Sequence, residues 1–276
     1  MTIKLIALDL DKTTLCSDNH LSAENRETLE AAIEQGVSVV IATGRPKAAL
    51  PGNVTEIKGI QYAITSNGAR VIDLRTGETV YANLIAADAV PPIFDVLRRY
   101  DHLVEIFIDG AAYMEKEKWD AVAAGAPIKR SRDYVMNTRL PRKNVLGMMM
   151  DNKDKLENIN IFYDDLADKE AMHDELAELE CVTLTSSFPN NWELGGLTTS
   201  KADALIHLGQ ILDIKKEEMM ACGDSPNDIA MLRAAGTAIA MGNAEEEVKA
   251  AATYVTASND DSGVARAVKK FVLKTE

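Results

Sequence analysis

The sequence predicts an α/β fold: a doubly wound parallel sheet, interrupted by a separate α+β unit. Three observations predict it. Short apolar runs without alternation recur in both terminal parts of the chain, as strands covered on both faces require. Each run stops at a polar turn, and helical patterns lie between several of them. The middle of the chain has a different rhythm, with a hairpin signal and strands at other spacings.

The elements follow in order. Ile3 to Leu8 is the first strand and gives way to Asp9-Leu10-Asp11-Lys12-Thr13. Ser22 to Gln35 is a helix, opened by a serine cap and stopped by Gly36. Val37 to Ala42 is a strand ending in Thr43-Gly44-Arg45, and Tyr62 to Thr65 one ending in Ser66-Asn67-Gly68-Ala69. Lys201 to Leu212 is a helix with Ala204, Leu205, Leu208 and Leu212 on one stripe. Met219 to Cys222 runs into Gly223-Asp224-Ser225-Pro226-Asn227-Asp228, and Ala238 to Met241 into Gly242-Asn243. Glu245, Glu246 and Glu247 then occupy a first helical turn, where the dipole favours acids. Strand–helix alternation predicts the doubly wound sheet. Ligands of such sheets bind beyond the carboxyl ends of the strands, where these polar turns fall.

The stretch from about Asn83 to Ser187 is read as an insertion. Ala87 to Tyr100 is helical, begins around Pro91-Pro92, and places Ile93, Val96, Leu97 and Tyr100 on one face. Leu103 to Ile108 and Ala112 to Met114 are strands around Asp109-Gly110, a hairpin signal. Ile159 to Tyr163 is a strand, Lys169 to Leu179 a helix, and Val182 to Thr185 a strand. The division is therefore 1–82 with 188–276 as core and 83–187 as insertion. Lys129, Arg130, Arg132, Arg139, Arg142 and Lys143 crowd one part of the insertion; most read as a solvated face, and one or two could reach a second anionic group on a substrate.

Asp9 and Asp11 carry the first chemical signal. A carboxylate at a strand end can attack phosphorus. A second one two residues on can protonate a leaving oxygen and later take a proton from water. An isolated pair of this spacing recurs by accident, and the ordered set of turns gives it weight. Asp9, Asp11, Asp224 and Asp228 would converge on one crevice, where like charges need a compensating cation. Oxygen-only ligands without His or Cys favour a hard ion, and Mg2+ fits best. Lys201 is the positive partner for phosphate oxygens.

These residues resemble the haloacid dehalogenase superfamily, in the Cof-type subgroup (IIB). Asp9-Leu10-Asp11-Lys12-Thr13 is similar to its first motif, Thr43-Gly44-Arg45 to its second, Lys201 to its third, and Gly223-Asp224-Ser225-Pro226-Asn227-Asp228 to its fourth. Asn67-Gly68-Ala69, Ala240-Met241-Gly242-Asn243-Ala244 and Tyr254-Val255-Thr256 look like further blocks of the subgroup. The resemblance spans Ile3 to roughly Val268 and is weakest in the middle. Lys12 stands where the family usually has glycine, which accepts backbone angles lysine avoids. Ala202 replaces another glycine, with little effect expected in a helix. Asp11-Lys12-Thr13 also looks like the phosphorylation motif of P-type ion pumps, but no run approaches the ~20 apolar residues of a membrane span.

The resemblance implies a Rossmann-like core with an α+β cap of the C2B type that closes over the site and selects substrate. It implies a Mg2+-dependent phosphatase of small phosphate monoesters, sugar phosphates first, with pyridoxal phosphate and flavin mononucleotide next. Asp9 would form an aspartyl-phosphate, and Asp11 would act as general acid and then base. The Asp9 carboxylate, the Asp11 carbonyl and Asp224 would hold the metal. Thr43, Lys201, Asn227 and the N–H groups of Leu10, Asp11 and Gly44 would serve the phosphate. Asn227 and Asp228 would orient Lys201 and water on the metal. Arg45 and Asn67 would contact substrate or cap. A phosphomutase of the same superfamily, which returns the phosphate to the product, is the first alternative. A non-catalytic binding protein on the same fold is the second.

Composition agrees. The 276 residues allow one large domain or two ordinary ones. The net charge of −13 argues against nucleic acid or an anionic membrane as partner. A small phosphorylated metabolite must then be held by local cations. Cys16, Cys181 and Cys222 lack metal-ligand spacing and read as free thiols in a reducing compartment. The chain opens directly into a strand, and the expected location is the cytoplasm.

Overall fold

The computed structural model describes residues 2–128 and 130–275. It divides into two compact units. The first comprises Met1–Gly44, Leu50–Ala82 and Ser200–Glu276; the second, Arg45–Ala49 and Asn83–Thr199. The strands, in chain order, are β1 Leu5–Leu8, β2 Ser38–Ala42, β3 Tyr62–Thr65, β4 Arg70–Asp73, β5 Thr79–Ala82, β6 Leu103–Ile108 and β7 Ala111–Glu115. They continue with β8 Arg139–Arg142, β9 Leu156–Phe162, β10 Val182–Thr185, β11 Asn191–Gly196, β12 Met219–Gly223, β13 Thr237–Ala240 and β14 Tyr254–Val255.

In the first unit eight strands form one sheet in the order β14-β13-β12-β1-β2-β3-β4-β5. The six from β14 to β3 pair in parallel, and β4 and β5 add an antiparallel edge. The central strands are buried along their length because helices cover the sheet, and their apolar runs follow from that. Ser22 caps the helix Ala23–Glu34 by accepting a hydrogen bond from the Asn25 N–H, and Gly36 leaves it at φ +85°. Ser200 caps Lys201–Ile211 in the same way through the Asp203 N–H. The parallel register aligns the strand ends. Leu8 stands between Cys222 and Ile41, and Gly223 beside Ala240, so the turns after β1, β2, β3, β12 and β13 leave the sheet at one edge.

The second unit is a six-stranded sheet in the order β10-β11-β9-β6-β7-β8, antiparallel except where β7 meets β8. Asp109-Gly110 forms the turn between β6 and β7, both residues with positive φ. Ile106, Ile159, Ile161 and Leu194 pack with the helices Val90–Leu97, Val145–Asp151 and Leu166–Ala177. A smaller core of Met114, Val122 and Val135 joins the helices Lys116–Ala123 and Arg132–Thr138. This unit runs on to Thr199, beyond the expected limit at 187. The reason is β11, which lies between β9 and β10 and is held on both edges. No helix of the described residues is long and apolar enough to cross a membrane.

Candidate active site

Asp9 leaves β1 in an extended conformation, with its N–H bonded to the Cys222 carbonyl at 3.1 Å. Its own carbonyl accepts the Thr14 hydroxyl at 2.6 Å, which closes the turn under it. Lys12 takes φ +60°, the left-handed region that glycine would enter without strain. The loop therefore keeps its shape with lysine, and the Lys12 carbonyl accepts a hydrogen bond from Asn243 Nδ2 at 2.9 Å. Asp11, at φ −71° and ψ 121°, is half-buried, so its side chain keeps access to solvent.

Lys201 sits at the first position of its helix, 1% exposed. Its Nζ donates to Asp9 Oδ1 at 2.6 Å and to Asp228 Oδ1 at 2.7 Å. Burial alone would lower the ammonium's pKa; Asp228 and Asp9 outweigh it and hold the group charged. Asp228 Oδ2 accepts the N–H groups of Asp224 and Ser225, at 3.0 and 3.1 Å. Asp228 is thus committed to the lysine and to the turn that presents Asp224.

Asp224 accepts the Thr13 hydroxyl at 2.8 Å and the Ser225 hydroxyl at 3.0 Å. Oxygens of Asp9, Asp224 and Asp228 lie within 4.8 Å of one another. Three carboxylates share a single lysine, and both outer acids respond. Burial, joined by the neighbouring carboxylates, pushes Asp9 well up against the pull of Lys201. Burial and Asp228 push Asp224 up to about 6. A divalent cation would relieve this excess of negative charge. The donors are all oxygen, and with Asp228 occupied, Asp9 and Asp224 are the two side chains left to hold it. The residues present therefore fit Mg2+.

Thr43 follows β2, and its backbone bridges two turns: its N–H donates to Ile64 O at 2.9 Å, and its carbonyl accepts the Asn67 N–H at 3.1 Å. Asn67 Oδ1 accepts Asn227 Nδ2 at 3.1 Å, which links the turns after β3 and β12. Asn67 holds φ +56°, and a Cβ on Gly44 would come within 3.1 Å of its Oδ1. Asp9, Asp11, Thr43, Gly44, Asn67, Lys201, Asp224, Asn227 and Asp228 all belong to the first unit, at one edge of its sheet.

Arg45 belongs to the second unit. Its guanidinium lies 4.8 Å from the Tyr134 ring centre, on a ring that Arg139 also meets at 4.7 Å. The basic crowd is spread out. Arg130 and Arg139 are buried on Glu105, Arg142 lies over Tyr113, and Lys129 falls outside the described residues. The sequence reading missed Thr13 and Ser225 as partners of Asp224. A threonine two residues beyond Asp11 and a serine beside Asp224 were the available signals. It also missed Asn158, whose side-chain oxygen and nitrogen are buried with no hydrogen-bond partner. Cys16, Cys181 and Cys222 are free, and burial pushes the Cys222 thiol up to about 12.

The family model of haloacid dehalogenase-like hydrolases matches residues 6–268. The 5-amino-6-(5-phospho-D-ribitylamino)uracil phosphatase of Bacillus subtilis is 30% identical, over 98% of this chain and 96% of that protein. A pyridoxal phosphate phosphatase of Escherichia coli is 28% identical, over 99% of this chain and all of that one (100%). Among solved structures, a HAD subclass IIB sugar phosphatase superposes with a TM-score of 0.82 at 25% identity, covering 97% of this chain and 98% of that one.

Proposed function

Because this chain belongs to the haloacid dehalogenase-like hydrolases and is a phosphatase, we propose that it hydrolyses small phosphate monoesters, phosphosugars first, through an aspartyl-phosphate on Asp9. The observation that carries this reading is the position of Lys201 Nζ, at 2.6 Å from Asp9 and 2.7 Å from Asp228. A buried ammonium there aligns the attacking carboxylate and offsets charge on the phosphoryl oxygens, the main work in phosphoryl transfer.

On this reading each residue of the site has a role. Asp9 attacks phosphorus, forming one P–O bond as the ester P–O bond breaks. Asp11 gives its proton to the departing alkoxide and so releases the alcohol. It then takes a proton from water as the water oxygen attacks phosphorus. The bond to Asp9 breaks, inorganic phosphate leaves, and the carboxylate is restored. Thr43, Asn227 and the N–H groups of Leu10, Asp11 and Gly44 serve the phosphoryl oxygens. Asp228 positions Lys201 and the Asp224 turn. Mg2+ would be held by the carboxylates of Asp9 and Asp224 and the Asp11 carbonyl, and when bound it supplies positive charge against the phosphate.

We assign substrate choice to the second unit. Asn158 and Asn160 lie on the same face of β9, and Glu193 of β11 pairs with Asn160 in register. The unpaired amide of Asn158, with Asn160 and Glu193 beside it, offers donors and acceptors suited to sugar hydroxyls. The relatives named above act on chemically different small phosphoesters, so family membership leaves this choice to such residues. Arg45 is assigned to the same task.

A screen of sugar phosphates, pyridoxal phosphate, flavin mononucleotide and nucleotides tests the reading. It expects Mg2+-dependent release of inorganic phosphate, fastest from a phosphosugar. Transfer of the phosphoryl group to a second sugar hydroxyl, without free phosphate, would instead identify a mutase.

A further inference from the structure

We propose that the second unit carries a ligand site of its own, one that takes a flat aromatic or heteroaromatic carboxylate. Within this unit lies a cavity of about 390 Å³, within the range of small-molecule pockets. It shares no residue with the carboxylate cluster, and neither Asn158, Asn160 nor Glu193 lines it, although Phe162 follows Asn158 and Asn160 on their face of β9. Leu103, Val122, Ile128 and Phe162 give it apolar walls, and Lys118, Arg130 and Asn190 place donors among them.

Arg130 gives the site its unmet donor. Its side chain is 4% exposed, its two terminal nitrogens bond to Glu105, and its Nε is buried without a partner. Glu105 is one carboxylate between two guanidinium groups, those of Arg130 and Arg139, so the trio keeps a net positive charge. The acids on the cavity wall are Asp101, held by Lys118 at 3.0 Å, and Asp164. The guanidinium lies 3.9 Å from the Phe162 ring centre, so cation and apolar surface are joined at one point. Asp164 offsets the charge of the trio, so it is the unmet Arg130 Nε that favours an acceptor; a planar ring fits against such walls, and a carboxylate on it answers that donor.

Nicotinate is the probe, titrated calorimetrically into the full chain, with its neutral isostere nicotinamide as control. Saturable binding is expected with a Kd of about 1 mM or tighter, suitable for a ligand this small. Nicotinamide should bind at least about tenfold more weakly. Ala121, exposed on the helix Lys116–Ala123, lines the cavity, so Ala121→Trp should fill it. That variant should lose nicotinate binding and keep wild-type hydrolysis of p-nitrophenyl phosphate. The proposal is overturned if nicotinate fails to bind, if it binds Ala121→Trp as well as wild type, or if nicotinamide binds equally. Displacement of nicotinate by inorganic phosphate would also overturn it, by placing the probe in the phosphatase site. Absence of phosphatase activity in the wild type would count against the proposed function alone and leave this site standing.

Discussion

Gly68 leaves no room for a side chain against Ser200: a Cβ at Gly68 would stand 2.1 Å from the Ser200 carbonyl oxygen. Ser200 caps the helix whose first residue is Lys201, so the turn after β3 fixes where that helix starts. Gly68 also holds φ +103°, a conformation that costs any other residue. Gly68→Ala should therefore move Lys201 away from Asp9. The expected outcome is a loss of about 2 kcal/mol in stability and at least a tenfold fall in kcat. Denaturant unfolding and steady-state kinetics check it, and wild-type values in both would remove Gly68 from the account.

The two aspartates at the β1 end should separate by step. Asp9→Asn cannot form the aspartyl-phosphate, because an amide is a poor nucleophile, and turnover should vanish. Asp11→Asn should still be phosphorylated by an ester with a good leaving group, yet hydrolyse the intermediate slowly. General acid–base help is typically worth ~10²–10⁴-fold. Rapid-quench measurement with p-nitrophenyl phosphate distinguishes the two, and near wild-type turnover of Asp9→Asn would sink the nucleophile assignment.

Cation removal should act on stability as well as rate. Asp9, Asp224 and Asp228 crowd together against one lysine. Mg2+ should raise the melting temperature, and Asp224→Asn should shrink that rise. A chelator should abolish phosphatase activity and Mg2+ restore it, with Ca2+ a poor substitute because its coordination is larger and looser. Full activity after exhaustive chelation would contradict the metal role given to Asp224.

Glu105 should set the acid limit of the second unit. Burial would raise its carboxyl, but Arg130 and Arg139 hold it down to about 2, below the ordinary value of 4.5. A depressed carboxylate contributes stability above its unfolded pKa and loses it as pH falls toward the folded one. The contribution is roughly 3 kcal/mol, present at neutral pH and fading between about 4.5 and 2. Glu105→Gln leaves two buried guanidinium groups without their counter-charge, at a cost of about 3–5 kcal/mol. Its unfolding should also lose much of the pH dependence in that window. A variant with the wild-type acid transition would show that the pair is inert.

The core sheet was legible in the sequence because its signals are local. Five apolar runs and the turns after them each lie within a dozen residues, and the parallel register merely brings the turns to one edge. Asp9, Asp11, Asp224 and Asp228 group on that logic, whereas Lys201, at a helix start, takes its place from the family resemblance. The strands β4 and β5 were not legible: β4 has only Val71 and Ile72 as an apolar pair between charged residues, and β5, largely exposed, lacks the buried-run pattern. The end of the second unit was misplaced because Asn191–Gly196 reads as polar and glycine-rich, although pairing on both edges makes it a strand. Thr13 meets Asp224 across 211 positions of sequence, a contact no local pattern encodes.

Asn158 offers the sharpest test of substrate selection, because stability and function should move in opposite directions there. Its amide lies in the middle of β9, opposite Phe107 in register, 1% exposed, with neither side-chain atom hydrogen-bonded. An unsatisfied buried polar group costs about 1–3 kcal/mol. Asn158→Leu, close to it in size, should remove that cost and raise the melting temperature. If the amide binds sugar hydroxyls, the same change should cut kcat/KM for phosphosugars by ten- to a hundred-fold, about 1.4–2.8 kcal/mol, mostly through KM. Turnover of p-nitrophenyl phosphate, which has no hydroxyls to bind, should stay near wild type. A residue with a purely structural role would move both substrates together. Unchanged kcat/KM on every phosphosugar that the wild type accepts, with the gain in stability still present, would remove Asn158 from substrate recognition.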